Sequence, residues 1–291
     1  METIEPAIVR AAAGQALSRR EFGAIAAGGL AASLLQPSAV TIGVQSYSFR
    51  DRSLADAIAG MEKLGLRSCE LWQDHVEPRK LPREDRRRWR ETVSLDHFHH
   101  IREQLAQASI VLSAYNISIK DDFSDAEIER AFDMTAALGA PLITSSSNTA
   151  TVARIAPAAE RRKIVVAMHN HSRIDPIEFA TAKSLTDAMA KSRYISVNLD
   201  VGHFTATNED AVAFLKQHHG RIVTLHIKDR RRDQGPHVPL GNGDAPVAAV
   251  LKLVRDSHWP IPLNLEYEYQ GGDTIEEVRK MLDYCRRVLN L

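Results

Sequence analysis

The sequence predicts an α/β protein built as a single (β/α)8 barrel, a parallel eight-stranded barrel with outer helices, and three observations carry that expectation. Short β-rich runs alternate with longer stretches of helical periodicity, which is the pattern of parallel βα units. Eight of each fall within about 250 residues, the usual size of one such barrel. The polar, chemistry-bearing residues gather at the ends of the late runs, where a parallel barrel carries its site.

In chain order, the first object stands apart from the barrel. Ser18-Arg19-Arg20-Glu21-Phe22 is a twin-arginine sequence, and a weakly apolar stretch rich in Ala and Gly follows it to Leu35. That stretch is shorter than the roughly 20 residues a spanning helix needs, so no stable membrane span is expected. Residues 1–39 are therefore expected to be a twin-arginine export signal, cut near Ala39 after Pro37 and Ser38. The mature protein is placed in the periplasm or otherwise outside the cytoplasm. Export of folded protein would let a metal be installed beforehand.

Residues 40–291 then supply the barrel. The β-rich runs are 41–47, 67–72, 110–116, 141–145, 164–169, 195–200, 222–227 and 262–267. Helical segments follow at 53–64, 97–108, 124–138, 150–162, 176–191, 208–219, 245–256 and 274–289. Ser124 with Glu127 three residues on is a capping pair for one helix start. The Arg- and Asp-rich insertion 74–94 reads as an expanded loop over the active-site face. An open doubly wound sheet would alternate in the same way, but the first run ends Gln45-Ser46-Tyr47-Ser48-Phe49-Arg50. With no Gly-x-Gly-x-x-Gly there, dinucleotide binding of the usual kind is unsupported.

Composition narrows the function. The chain is 44% hydrophobic and 25% charged, ordinary for one large folded domain. Lys plus Arg and Asp plus Glu each total 37, so no net field draws nucleic acid, and none is expected as partner. Cys69 and Cys285 make neither a disulfide framework nor a thiolate site and read as small buried hydrophobes.

Four late runs end in residues able to bind a metal: Met168-His169-Asn170-His171, Asn198-Leu199-Asp200, His226-Ile227-Lys228 and Leu265-Glu266-Tyr267-Glu268. Period-2 alternation puts His169 with His171, Asn198 with Asp200, and His226 with Lys228 on one face. Four such groups converging inside a barrel would be costly without a cation or a satisfied network. Mixed imidazole and carboxylate donors suit a divalent metal ion, Mn2+ first, with Zn2+, Co2+, Fe2+ or Mg2+ as alternatives.

Leu199-Asp200-Val201-Gly202-His203, Leu225-His226-Ile227-Lys228-Asp229, Leu240-Gly241-Asn242-Gly243-Asp244 and Leu265-Glu266 occur in this order. Together they resemble the sugar phosphate isomerase/epimerase family of the xylose isomerase-like TIM barrels, to which endonuclease IV is also related. The resemblance implies that Asp200, His226 and Glu266 hold the metal, with His169 standing where relatives carry a Glu. Histidine there departs from the two-glutamate proton shuttle of the epimerases, because a metal-bound imidazole has no lone pair left to accept a proton.

The implied reaction is isomerisation or epimerisation of a keto- or aldo-sugar through an enediolate. Glu266, His171, His203 and Lys228 are the candidates for proton transfer, and Glu268 is a rival ligand to Glu266. Tyr47, Glu70, His171 and His203 are expected to contact substrate, as is Arg232 in the basic run after the seventh β segment. Export argues for a free or oxidised sugar or a glycoside over a sugar phosphate. The rival readings are a metal-dependent lyase or hydrolase of 3-keto-glycosides, a nuclease like endonuclease IV, and a non-catalytic sugar-binding protein. His97, His99 and His100 would be the extra histidines of a nuclease, yet they sit at a helix start and read as solvated.

Overall fold

The β-rich runs are bounded by turn residues and filled with buried apolar side chains, and each becomes a strand close to its expected place. The computed structural model describes residues 40–291. Its strands are β1 (Ile42–Gln45), β2 (Ser68–Trp72), β3 (Val111–Asn116), β4 (Leu142–Ser145), β5 (Val165–His169), β6 (Ile195–Asp200), β7 (Ile222–Ile227), β8 (Asp229–Arg230), β9 (His237–Val238) and β10 (Leu263–Leu265). All but β8 and β9 close into one parallel barrel in the order β1-β10-β7-β6-β5-β4-β3-β2. Closure by pairing Ile42 with Leu263 and Val44 with Leu265 rules out the open sheet. The twin-arginine segment lies outside the described residues.

Ten α-helices accompany the strands among the described residues: α1 (Leu54–Leu64), α2 (Arg83–Thr92), α3 (Asp96–Gln107), α4 (Asp125–Leu138), α5 (Val152–Arg162), α6 (Ala182–Met189), α7 (Val201–Ala206), α8 (Ala211–His218), α9 (Val247–Asp256) and α10 (Thr274–Leu289). Ser124 and Glu127 form the expected capping box at α4. None of these helices is long and apolar enough to cross a membrane.

Three features differ from expectation. The insertion 74–94 is no simple loop, because it folds into α2. There Arg90, 2% exposed, bonds Glu77 at 2.7 Å and Glu127 at 3.2 Å, and Arg83 bonds Glu127 at 2.7 Å. This ionic quartet ties α2 to α4. The segment 176–191 is helical only from Ala182, where Thr181 caps it. The short helix α7 springs directly from β6, with Asp200 as its N-cap.

On β5 the alternation sends Val166 and Met168 to the surrounding helices and Ala167 and His169 into the barrel. The interior is polar at its centre: Glu70, Asn198 and Asn264 are all 0% exposed. Cys69 and Cys285 are free and buried, and burial pushes the Cys285 thiol up to about 12.

Candidate metal centre

Register gathers four side chains at one end of the barrel. His169 ends β5, Asp200 ends β6 and pairs in register with His226 of β7, and Glu266 follows β10 directly. One nitrogen or oxygen from each of the four lies within 4.8 Å of every other. His169 Nε2 is 3.3 Å from Asp200 Oδ2, and His226 Nδ1 is 3.8 Å from Asp200 Oδ2 and 2.9 Å from Glu266 Oε2. Asp200 serves two ends at once, since its Oδ1 accepts from His203 N at 2.7 Å to cap α7 while its Oδ2 faces the cluster. That double use accounts for the Asp-x-x-His spacing.

The group fits a divalent cation. Two carboxylates and two imidazoles are buried to between 0% and 6% exposure, and His226 Nδ1 and Glu266 Oε2 have no hydrogen bond of acceptable geometry. Carboxylates gathered in a dry site need a cation or full hydrogen bonding. Mixed N and O donors are the set borderline divalent metals accept.

Lys228 supplies positive charge beside them. Its Nζ is 2.8 Å from Asp200 Oδ2 and 2.6 Å from Glu266 Oε2, and it also meets Glu268. Burial alone would lower its pKa, but Asp200, Glu266 and Glu268 outweigh burial and hold it well above the usual lysine value. Held this way, Lys228 favours its ammonium form and suits proton donation better than proton uptake. Glycine at 202 lets it through, because a Cβ there would come within 2.6 Å of Lys228 Cγ.

The cluster lies in a cavity of about 280 Å³ whose wall includes Tyr47, Trp72, His171 and His203. The Tyr47 and Trp72 rings meet edge to face at 5.0 Å. Burial, with His169 and Lys228 nearby, pushes the His171 imidazolium down to about 4, and His171 Nδ1 lies 3.5 Å from Glu178 Oε2. Glu178 therefore stands against His171 and outside the four-residue cluster. Burial and then the Lys228 charge hold His203 well below its usual value; its Nδ1 accepts from Arg230 Nη1 at 2.9 Å.

Two expected substrate contacts are corrected. Glu70 is sealed inside the barrel at 0% exposure and is absent from the cavity wall, because its oxygens are taken up by Gln45, Thr144, His226 and Asn264. Arg232 is exposed on the turn beyond β8, where its backbone N–H binds Asp244. The arginine that does reach the site is Arg230, 7% exposed. Alternation carried two residues past Lys228 would have found it. Gln45, Ser146 and Lys120 also line the cavity and left no sequence signal. Glu268 stands beside His203 and His237, outside the four-residue cluster.

Asp229, next to Lys228, is structural. Its carboxylate accepts from Gly241 N and Gly243 N at 2.9 Å and from Ala245 N at 3.1 Å, clamping the Gly-Asn-Gly turn. A Cβ at Gly243 would fall 2.0 Å from Asp229 Oδ1.

A family model described as xylose isomerase-like TIM barrel matches residues 58–288. Among solved structures, a sugar phosphate isomerase/epimerase from Parabacteroides distasonis superposes with a TM-score of 0.61 at 16% identity, covering 87% of this chain and 97% of that one. A 3-keto-D-glucoside 4-epimerase from E. coli gives 0.63 at 13% identity, covering 86% and 100%. The IolI protein with a bound zinc atom gives 0.67 at 15%, covering 86% and 98%. At such identities the likeness establishes the fold. No curated protein matches the sequence.

Proposed function

Because the chain belongs to the xylose isomerase-like TIM barrel family, we propose that it is a metal-dependent isomerase or epimerase of an uncharged sugar or sugar derivative, working through an enediolate. The observation that carries this reading is the convergence of His169, Asp200, His226 and Glu266 on one buried volume beside a cavity of sugar size. These four residues would hold the ion. When bound, a divalent cation polarises a carbonyl and its neighbouring hydroxyl and makes the C–H between them acidic.

The chain's own groups then divide the remaining work. His171 is neutral at pH 7 and so has a lone pair with which to take a proton, and Glu178 behind its Nδ1 stabilises the imidazolium that forms. The Lys228 ammonium offsets negative charge that develops beside Glu266 and Glu268. Tyr47 and Trp72 offer an aromatic wall to the apolar face of a sugar ring. An uncharged substrate is favoured because the arginines near the mouth are already engaged. Arg79 donates to the carbonyls of Asp74, Arg50 and Arg52, Arg50 to that of Tyr267, and Arg230 to that of Gly235.

Histidine at position 169 favours a second reading, a lyase acting on a 3-keto-glycoside. Elimination needs one base and a leaving group, whereas the two-glutamate shuttle has lost a member. Purified protein with Mn2+ and a panel of keto-sugars, 3-keto-glycosides and sugar phosphates separates the outcomes. Metal-dependent formation of an epimer or isomer from an uncharged sugar is expected. Release of aglycone selects the lyase, and turnover confined to phosphates overturns the uncharged substrate. Export through the twin-arginine route belongs to the same proposal and rests on Arg19 and Arg20. Fractionation of cells expressing the Arg19→Lys, Arg20→Lys variant checks it, with the protein expected to stay in the cytoplasm.

A further inference from the structure

The barrel floor beneath the cluster holds a carboxylate that no role in substrate binding explains. Glu70 is 0% exposed and receives hydrogen bonds from every side. Its Oε1 accepts from Gln45 Nε2 at 3.1 Å, Thr144 Oγ1 at 2.6 Å and Asn198 Nδ2 at 3.4 Å; its Oε2 accepts from Asn264 Nδ2 at 3.0 Å. These neighbours are amide N–H and hydroxyl donors, so both carboxyl oxygens act as acceptors. The fifth neighbour is His226 Nε2, 3.0 Å from Glu70 Oε2.

We propose that Glu70 is a positioning residue for the metal centre: it accepts the Nε2–H of His226 and so fixes the ring with its Nδ1 lone pair aimed at Asp200 and Glu266. The opposite tautomer would set a ring lone pair 3.0 Å from a carboxylate oxygen inside a dry barrel and take the His226 donor away from Glu70. It would also spend the Nδ1 hydrogen on the side where Glu266 Oε2 waits at 2.9 Å, leaving that nitrogen unable to bind a cation. Asn198 Nδ2 lies 2.9 Å from His226 Nε2 and has Glu70 Oε1 as its acceptor.

The arrangement has a further consequence for the ligand's strength. A carboxylate accepting from one imidazole nitrogen raises the electron density at the other, and loss of such a partner lowers metal affinity by about 10- to 100-fold. The three amides act one step further back. Gln45, Asn198 and Asn264 come from β1, β6 and β10 respectively, so the position of Glu70 is set from several strands at once.

This assignment rests on the reading of His169, Asp200, His226 and Glu266 as a metal site, and its test uses Co2+ binding and NMR, with no sugar. In the metal-free full chain labelled with 15N-histidine, His226 is expected to carry its proton on Nε2. An Nε2 without a proton overturns the proposal whatever any variant does. In Glu70→Gln, which keeps the side-chain shape, Co2+ is expected to bind about 10- to 100-fold more weakly, with an altered d–d spectrum. Binding and spectrum unchanged from the original chain overturn the proposal. If Glu70→Gln does not fold, Asn264→Leu removes one of the bonds that orient Glu70, and a smaller loss of Co2+ affinity in the same direction is expected, with no change overturning the proposal. Failure of the unsubstituted protein to take up Co2+ overturns the metal site itself and this assignment with it.

Discussion

At residue scale, a glycine and a histidine show how little of the site is adjustable. Gly202 leaves room for the Lys228 side chain, which then reaches Asp200, Glu266 and Glu268. Gly202→Ala is expected to cost about 1–3 kcal/mol in chemical denaturation through overpacking, and to lower turnover further by displacing the ammonium. His75 makes a different, pH-dependent contribution. It is 8% exposed, its Nδ1 sits 2.9 Å from Ser46 Oγ, and burial together with Arg79 pushes its pKa down from 6.5 to about 4. Between those two pH values the unfolded chain binds a proton that the folded chain refuses. Stability is therefore full above pH 6.5 and falls as pH drops toward 4, by up to roughly 3 kcal/mol from this group. Urea midpoints measured from pH 7 to pH 4 should fall less steeply in His75→Gln, and identical slopes would refute the assignment.

At the scale of elements, α2 shows what the sequence concealed. The Arg- and Asp-rich stretch reads as a solvated loop because its charges dominate, yet one of them, Arg90, turns inward to Glu77 and Glu127. Arg90→Met leaves those two buried carboxylates with one partner fewer and is expected to destabilise the fold by about 3–5 kcal/mol by denaturation. Strands and helix starts were legible because period-2 alternation and cap residues are local signals, as at 165–169 and Ser124. The cluster itself was legible because Asp200, His226 and Glu266 end consecutive barrel neighbours. The inward burial of Glu70 was not, since it depends on how strands from distant parts of the sequence meet. Glu70 ends up under His226, 156 positions away. No window along the chain contains that fact.

For the whole molecule, the four residues of the candidate metal cluster belong to four strand ends from β5 to just past β10. A ligand that binds only the folded barrel stabilises it by mass action, by about 2.7 kcal/mol at a concentration 100-fold above its Kd. Mn2+ at that excess is expected to raise the melting temperature by roughly 5–10 °C, and chelation by EDTA to reverse the gain. His169→Ala and Asp200→Asn are expected to abolish the shift, and a shift that survives both would exclude this cluster as its source.

The closing seam between β1 and β10 would give a bound ion a second use. Ile42 is hydrogen-bonded in register with Leu263, and even Thr41 O receives the N–H of Leu263 at 2.9 Å. The earliest strand and the latest are thus next-door neighbours, and Glu266 reaches the cluster only once its strand is docked between β7 and β1. Ion uptake becomes a receipt for a finished ring: a chain trimmed at residue 39 retains every bond of the seam, while one trimmed at residue 44 loses the partner that holds Glu266 in line.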